Sequence, residues 1–108
     1  MRMWGISPSL LCRKHLLGSH VELHMLVGCI NKNKSLKGYI SQGLIEIHSI
    51  EKSHEEIAEE MKKRNYNHNS PLPNFIPYIS GKINIDKSMK DLYSRCEECR
   101  KLQEEEIK

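Results

Sequence analysis

The sequence predicts an all-α fold, a compact single domain of about three main helices with irregular connecting segments. Three observations predict it. A chain of 108 residues is the length of one domain. Apolar side chains recur at helical spacing in three separate stretches. The two intervals between them are marked by glycines in one case and prolines in the other.

The first helix is expected over about Ser9 to Asn31. Ser7 and Pro8 supply a start signal, a capping residue followed by a proline suited to the first turn. Leu16, Leu23, Val27 and Ile30 form its apolar stripe. Gly18 interrupts the segment, and Ser19 with Glu22 fits a capping box, so two shorter helices are an alternative. One helix is preferred, because the stripe stays in phase across Gly18. The basic segment Asn31–Gly43 follows as a loop. The second helix is expected from Ile47 to Arg64, with Ile50, Ile57 and Met61 as its stripe and His54 among them. Glu55 and Glu56 precede Lys62, Lys63 and Arg64, matching the helix dipole, and Asn65 is a stop signal. The segment Asn67–Asn84 carries Pro71, Pro73 and Pro77 and reads as an extended wrap. The third helix is expected from Lys87 to Glu105, capped by Asp86, with Met89, Leu92, Tyr93, Cys96, Cys99 and Leu102 on one face.

Charge is distributed unevenly. The net charge is only +3, yet residues 1–45 hold six Lys/Arg and a single acid, Glu22. Residues 46–108 hold eleven bases and thirteen acids. An acid-poor half suits an anionic partner, and Arg2, Arg13, Lys14, Lys32, Lys34 and Lys37 are its candidate phosphate contacts. The plainer reading of those bases is a solvated surface. No run of about 18 apolar residues is present, so no membrane contact is expected. No signal peptide is recognised at the start, and a cytoplasmic, nucleoid-associated location is expected. Cys12, Cys29, Cys96 and Cys99 are then expected to be thiols rather than disulfides.

Several groupings bear on chemistry. Cys96 and Cys99 make one CxxC, which without a second pair reads as core thiols. His20 and His24 lie one helical turn apart but lack the glutamate spacing of a zinc protease helix, so no metal is expected there. His15 and Glu22 are seven residues apart, which puts them on nearly the same helix face. The lone carboxylate in a cationic half is a candidate general acid–base, although such a glutamate is usually a solvated or capping residue. An α-amine, with a reference pKa of about 7.7–8.0, is partly neutral near pH 7 and is a competent nucleophile when an acid stands beside it. Arg2 should leave Met1 in place to supply it.

The segments MRMWGI, HLLGSHVEL and HEEIAEEMKKRNYN resemble the pyrimidine dimer DNA glycosylases of the phage endonuclease V type. Those proteins begin with a free amine followed by Arg. They carry a helix reading His-Leu-(Leu/Met)-(Gly/Ala)-x-(His/Tyr)-Arg-Glu-(Leu/Cys), and a later helix ending near Lys-Arg-Gly-(Phe/Tyr). The resemblance is strongest over residues 1–67. It implies a mostly helical domain acting as a glycosylase with AP-lyase activity on double-stranded DNA bearing damaged bases or abasic sites. It further implies a monomer that needs no cofactor. On this resemblance Met1, Arg2, Glu22 and His15 are the catalytic residues: the Met1 α-amine attacks C1′, Arg2 stands beside it, Glu22 assists, and His15 is the helix histidine near the site. The Lys32–Lys37 loop contacts phosphates. This sequence departs from the pattern at Val21 and Met25, where the family has basic residues, and in its acidic end in place of an aromatic, basic tail. Two rival expectations are a noncatalytic DNA-binding module of the same fold and a small thiol or metal protein built on Cys96 and Cys99.

Overall fold

In a computed structural model the chain is described over residues 1–68 and 71–107, with side chains described through residue 105. All regular structure among the described residues is helical, as expected: α1 (Arg13–Asn31), α2 (Lys37–Ser41), α3 (Ile50–Lys63), α4 (Ile85–Arg95) and α5 (Glu97–Ile107), with 3₁₀ turns at Pro8–Leu10 and Ile47–Ser49. No helix of the described residues is long and apolar enough to cross a membrane.

The Ser7–Pro8 signal opens a separate 3₁₀ turn and not α1 itself. Leu11 and Cys12 are extended, so the chain changes direction before Arg13. Arg64, at the far end of α3, accounts for the break. Its Nη2 donates to the carbonyls of Pro8 at 3.2 Å, Ser9 at 3.4 Å and Leu11 at 2.7 Å, giving this turn the partners that a continuous helix would have provided. From Arg13 the helix runs unbroken across Gly18, burying Leu16, Ser19, Leu23, Leu26 and Val27. The capping-box alternative at Ser19 is not taken.

The basic loop expected over Asn31–Gly43 contains α2, a five-residue helix that five residues of apolar periodicity were too few to reveal. Buried Leu36 anchors it. α3 buries Ile50, His54, Ile57 and Met61, the stripe read from the sequence. It stops as expected at Asn65, which adopts φ 61°, while Tyr66 N–H returns to the Met61 carbonyl at 2.8 Å. α1 and α3 pack against each other and form the centre of the core.

The C-terminal part differs most from expectation. The cap is Asn84, whose Oδ1 accepts from Lys87 N–H at 3.1 Å, and not Asp86, which lies within the first turn. The single helix expected from Lys87 to Glu105 is two helices, because Cys96 is extended (φ −130°, ψ 107°). α5 therefore leaves at a new angle and packs against the Pro8–Leu10 turn as well as α4. The wrap between α3 and α4 has no regular structure among its described residues; its positions 69 and 70 lie outside them. It runs against the chain at Ile45–Ile47, where Ile47 N–H donates to the Ser80 carbonyl at 2.9 Å.

Gly81 makes this approach possible. Its φ is +83°, and a Cβ there would clash with the Ile45 carbonyl oxygen. The left-handed backbone and the clash with a fixed main-chain atom act together. Gly81→Ala is expected to destabilise the protein by about 2 kcal/mol or more, read as a lower denaturation midpoint with an unchanged slope.

Candidate active site

The first seven residues form no helix, yet they are held tightly. Met3 N–H donates to the Leu44 carbonyl at 2.7 Å, and the Met3 and Trp4 side chains are buried. Arg2 is fixed on three sides. Its Nη1 pairs with Asp91 Oδ2 at 3.2 Å, its Nη2 donates to Ser88 Oγ at 3.4 Å, and its guanidinium carbon lies 4.0 Å from the Trp4 ring centroid. Asp91 and Ser88 both belong to α4, so the C-terminal part of the chain positions the second residue. Sequence reasoning missed this pair, because nothing local to α4 marks it.

Glu22 projects from α1 and is half-buried. Burial raises its carboxyl above the ordinary carboxylate range, while the positive charges of the Met1 α-amine and the Arg2 guanidinium pull it back down. The three groups singled out from the sequence thus share one electrostatic neighbourhood. A carboxyl whose neutral form is favoured by burial, in the field of an amine, is suited to acid–base exchange. Ser19, one turn before Glu22, is buried. Its Oγ and the Nε of Arg2 have no hydrogen-bond partner among the described residues. Both residues line a pocket of about 290 Å³ together with Met3, Trp4, Leu23, Glu46 and Glu56; Glu22 is not in its wall.

His15 is placed elsewhere. Its Nδ1 lies 3.2 Å from Cys12 Sγ and 3.6 Å from Cys99 Sγ, and its ring meets Trp4 edge-on at 5.9 Å. Burial lowers its pKa and Lys14 adds to the effect, which favours the neutral imidazole. Cys96 joins the group through Cys12, at 3.7 Å between sulfurs, whereas Cys29 is not part of it. Burial pushes the Cys99 thiol up to about 12. The CxxC read as core thiols is therefore half of a four-residue cluster, and its other half begins α1.

A second cluster escaped the sequence reading except for its first pair. The Nε2 atoms of His20, His54 and His68 stand 2.8, 3.1 and 3.3 Å apart, and the His24 ring lies tilted at 4.7 Å from the His20 ring. The available signal was His54 on the apolar stripe of α3, a polar residue in a buried row. Three converging imidazole nitrogens can share protons or hold a cation.

Arg13, Lys14, Lys32, Lys34 and Lys37 are all exposed. The three lysines surround the end of α1 and the start of α2, and the Arg13 guanidinium lies 5.3 Å from the Tyr66 ring. Val21 and Met25, one turn apart on α1 on either side of Glu22, are exposed apolar residues. A family model described as pyrimidine dimer DNA glycosylase matches residues 1–74. No curated protein and no solved structure matches the chain.

Proposed function

The chain belongs to the pyrimidine dimer DNA glycosylase family, and on that footing we propose that it is a DNA repair glycosylase with associated AP-lyase activity. The Met1 α-amine is its nucleophile. The observation that carries this reading is the half-buried Glu22 carboxyl in the field of the Met1 amine and Arg2. In the reaction the neutral amine donates its lone pair to C1′ of the damaged nucleotide as the base departs with the electrons of the glycosidic bond. Loss of the amine proton and opening of the sugar ring give an imine. Glu22 stabilises the cationic sugar before ring opening. It then assists removal of a C2′ proton, so that the 3′ phosphate is eliminated and the strand is cut. Arg2, locked by Asp91, Ser88 and Trp4, keeps a positive charge beside the scissile region without moving.

His15 supports the start of α1 in this scheme and takes no proton from the substrate. The protein works as a monomer on double-stranded DNA, and abasic sites enter the same imine route. The exposed Lys32, Lys34 and Lys37, with Arg13 and Lys14, meet the phosphates. Replacing the three loop lysines by alanine should reduce the slope of log affinity against log salt by about 0.9 per lysine that neutralises a phosphate. Binding titrations at several salt concentrations measure it. Reaching C1′ requires a distorted duplex or a flipped nucleotide, which costs a few kcal/mol. Val21 and Met25 offer an apolar surface next to Glu22 against which an unstacked base can rest.

Borohydride trapping tests the proposal. A covalent adduct is expected on duplexes carrying an abasic site or a pyrimidine dimer, and acetylation of the terminus should abolish it. A protein that binds both duplexes and yields no adduct on either is a noncatalytic module of the same fold.

A further inference from the structure

We propose that Cys12, His15, Cys96 and Cys99 hold one Zn²⁺ in a closed tetrahedral site that clasps the start of α5 to the start of α1. The spacing of the four ligand atoms carries the inference. Zinc bonds of about 2.3 Å to sulfur and about 2.0–2.1 Å to nitrogen, at tetrahedral angles, separate two sulfurs by about 3.8 Å and a sulfur from a nitrogen by about 3.6 Å. Here Cys12 and Cys96 sulfurs are 3.7 Å apart, and His15 Nδ1 is 3.6 Å from Cys99 Sγ and 3.2 Å from Cys12 Sγ. All four atoms lie within 4.8 Å of one another. Core thiols have no reason to turn three sulfurs and a ring nitrogen onto a common point.

The supporting backbone has the same character. Cys12 and Cys96 each stand immediately before a helix, and His15 and Cys99 follow three residues later in the first turn. This gives two equal-spaced pairs at two helix N-termini, where backbone N–H groups and the helix dipole favour thiolates. Cys12 N–H donates to Cys99 Sγ at 3.2 Å and Cys99 N–H to Cys96 Sγ at 3.5 Å, the outer hydrogen bonds that orient and stabilise metal-bound sulfur. Binding releases a proton from each ligating thiol to solvent and leaves His15 neutral. With four protein ligands, and Cys12 and Cys99 buried, no position is open for water, so the site is structural and not catalytic. Two ligands come from residues 1–74 and two from beyond them, so the metal would join the family-matched part to the helices that carry Asp91 and Ser88.

The full-length protein, purified under reducing conditions and loaded with Zn²⁺, should contain zinc that Cys96→Ser and Cys99→Ser lose and His54→Gln keeps. The His54 variant separates this site from the histidine cluster. Cobalt substitution of the unmutated protein, which does not depend on any variant folding, should give thiolate-to-cobalt charge transfer and the intense visible bands of a tetrahedral site. Chelation should lower the melting temperature and expose thiols beyond Cys29 to alkylation. The proposal is overturned by a folded protein that takes up no zinc, by a cobalt spectrum lacking thiolate charge transfer, or by zinc lost in His54→Gln and kept in both cysteine variants. A Cys12–Cys96 disulfide in the zinc-loaded protein would also overturn it.

Discussion

Glu22→Gln should reduce strand cleavage by about 10²- to 10⁴-fold, the range a positioned acid–base group contributes, while leaving DNA affinity near that of the parent. The same variant should be more stable at neutral pH. Burial raises the Glu22 carboxyl, so the folded state holds that proton more tightly than the unfolded chain does. The stability linked to protonation is complete below the ordinary carboxylate range and is lost as pH rises through the raised value. At pH 7 the parent carries an ionised group in a half-buried setting, and glutamine does not. Thermal melts of the two proteins should therefore diverge at pH 7 and converge below about pH 4. A parent more stable than the variant at pH 7 would mean that the amine and Arg2 outweigh burial. Unchanged cleavage would remove Glu22 from the mechanism.

Arg64→Ala should destabilise the fold by about 3 kcal/mol, a loss on the scale of truncating a core side chain. One guanidinium serves three carbonyls of the Pro8–Leu11 turn and pairs with Glu60 at 3.1 Å. Hydrogen bonds to a charged donor contribute about 1.5–3 kcal/mol each, but bonds sharing one side chain do not add in full. Lysine should restore little, since a single ammonium cannot reproduce the fork. Denaturant unfolding of the three proteins measures this. A loss under about 1 kcal/mol would show that water replaces Arg64 at those carbonyls.

Legibility in the sequence followed the range of the interactions. The stripe of α3, its Asn65 stop and the continuity of α1 across Gly18 depend on neighbours within two turns, and all three were readable. The Arg64 fork, the Arg2–Asp91 pair and the thiol–imidazole cluster join residues 53, 89 and 84 or more positions apart. No local pattern marks such partners. The break at Cys96 belongs with them: periodicity alone carried a helix through it, and only the packing against the Pro8–Leu10 turn explains why the chain departs there. The catalytic candidates were visible for a different reason. Glu22 stood out as the one acid in a basic half, and the structure gives that isolation a local meaning in the field of the amine and Arg2.

The anchoring of Met3 to Leu44, and of Arg2 to α4, puts Met1 directly ahead of the clamp, with its side chain packed against the core. Consecutive residues span about 3.8 Å, so the α-amine is held at a nearly fixed distance from the clamp. On the proposed chemistry this makes the amino terminus a ruler. One extra residue ahead of Met1, as a cleaved affinity tag leaves behind, would carry the amine past its target. Loss of Met1 would withdraw it into the Arg2–Trp4 stack. Both forms would fold normally, bind DNA and cut nothing.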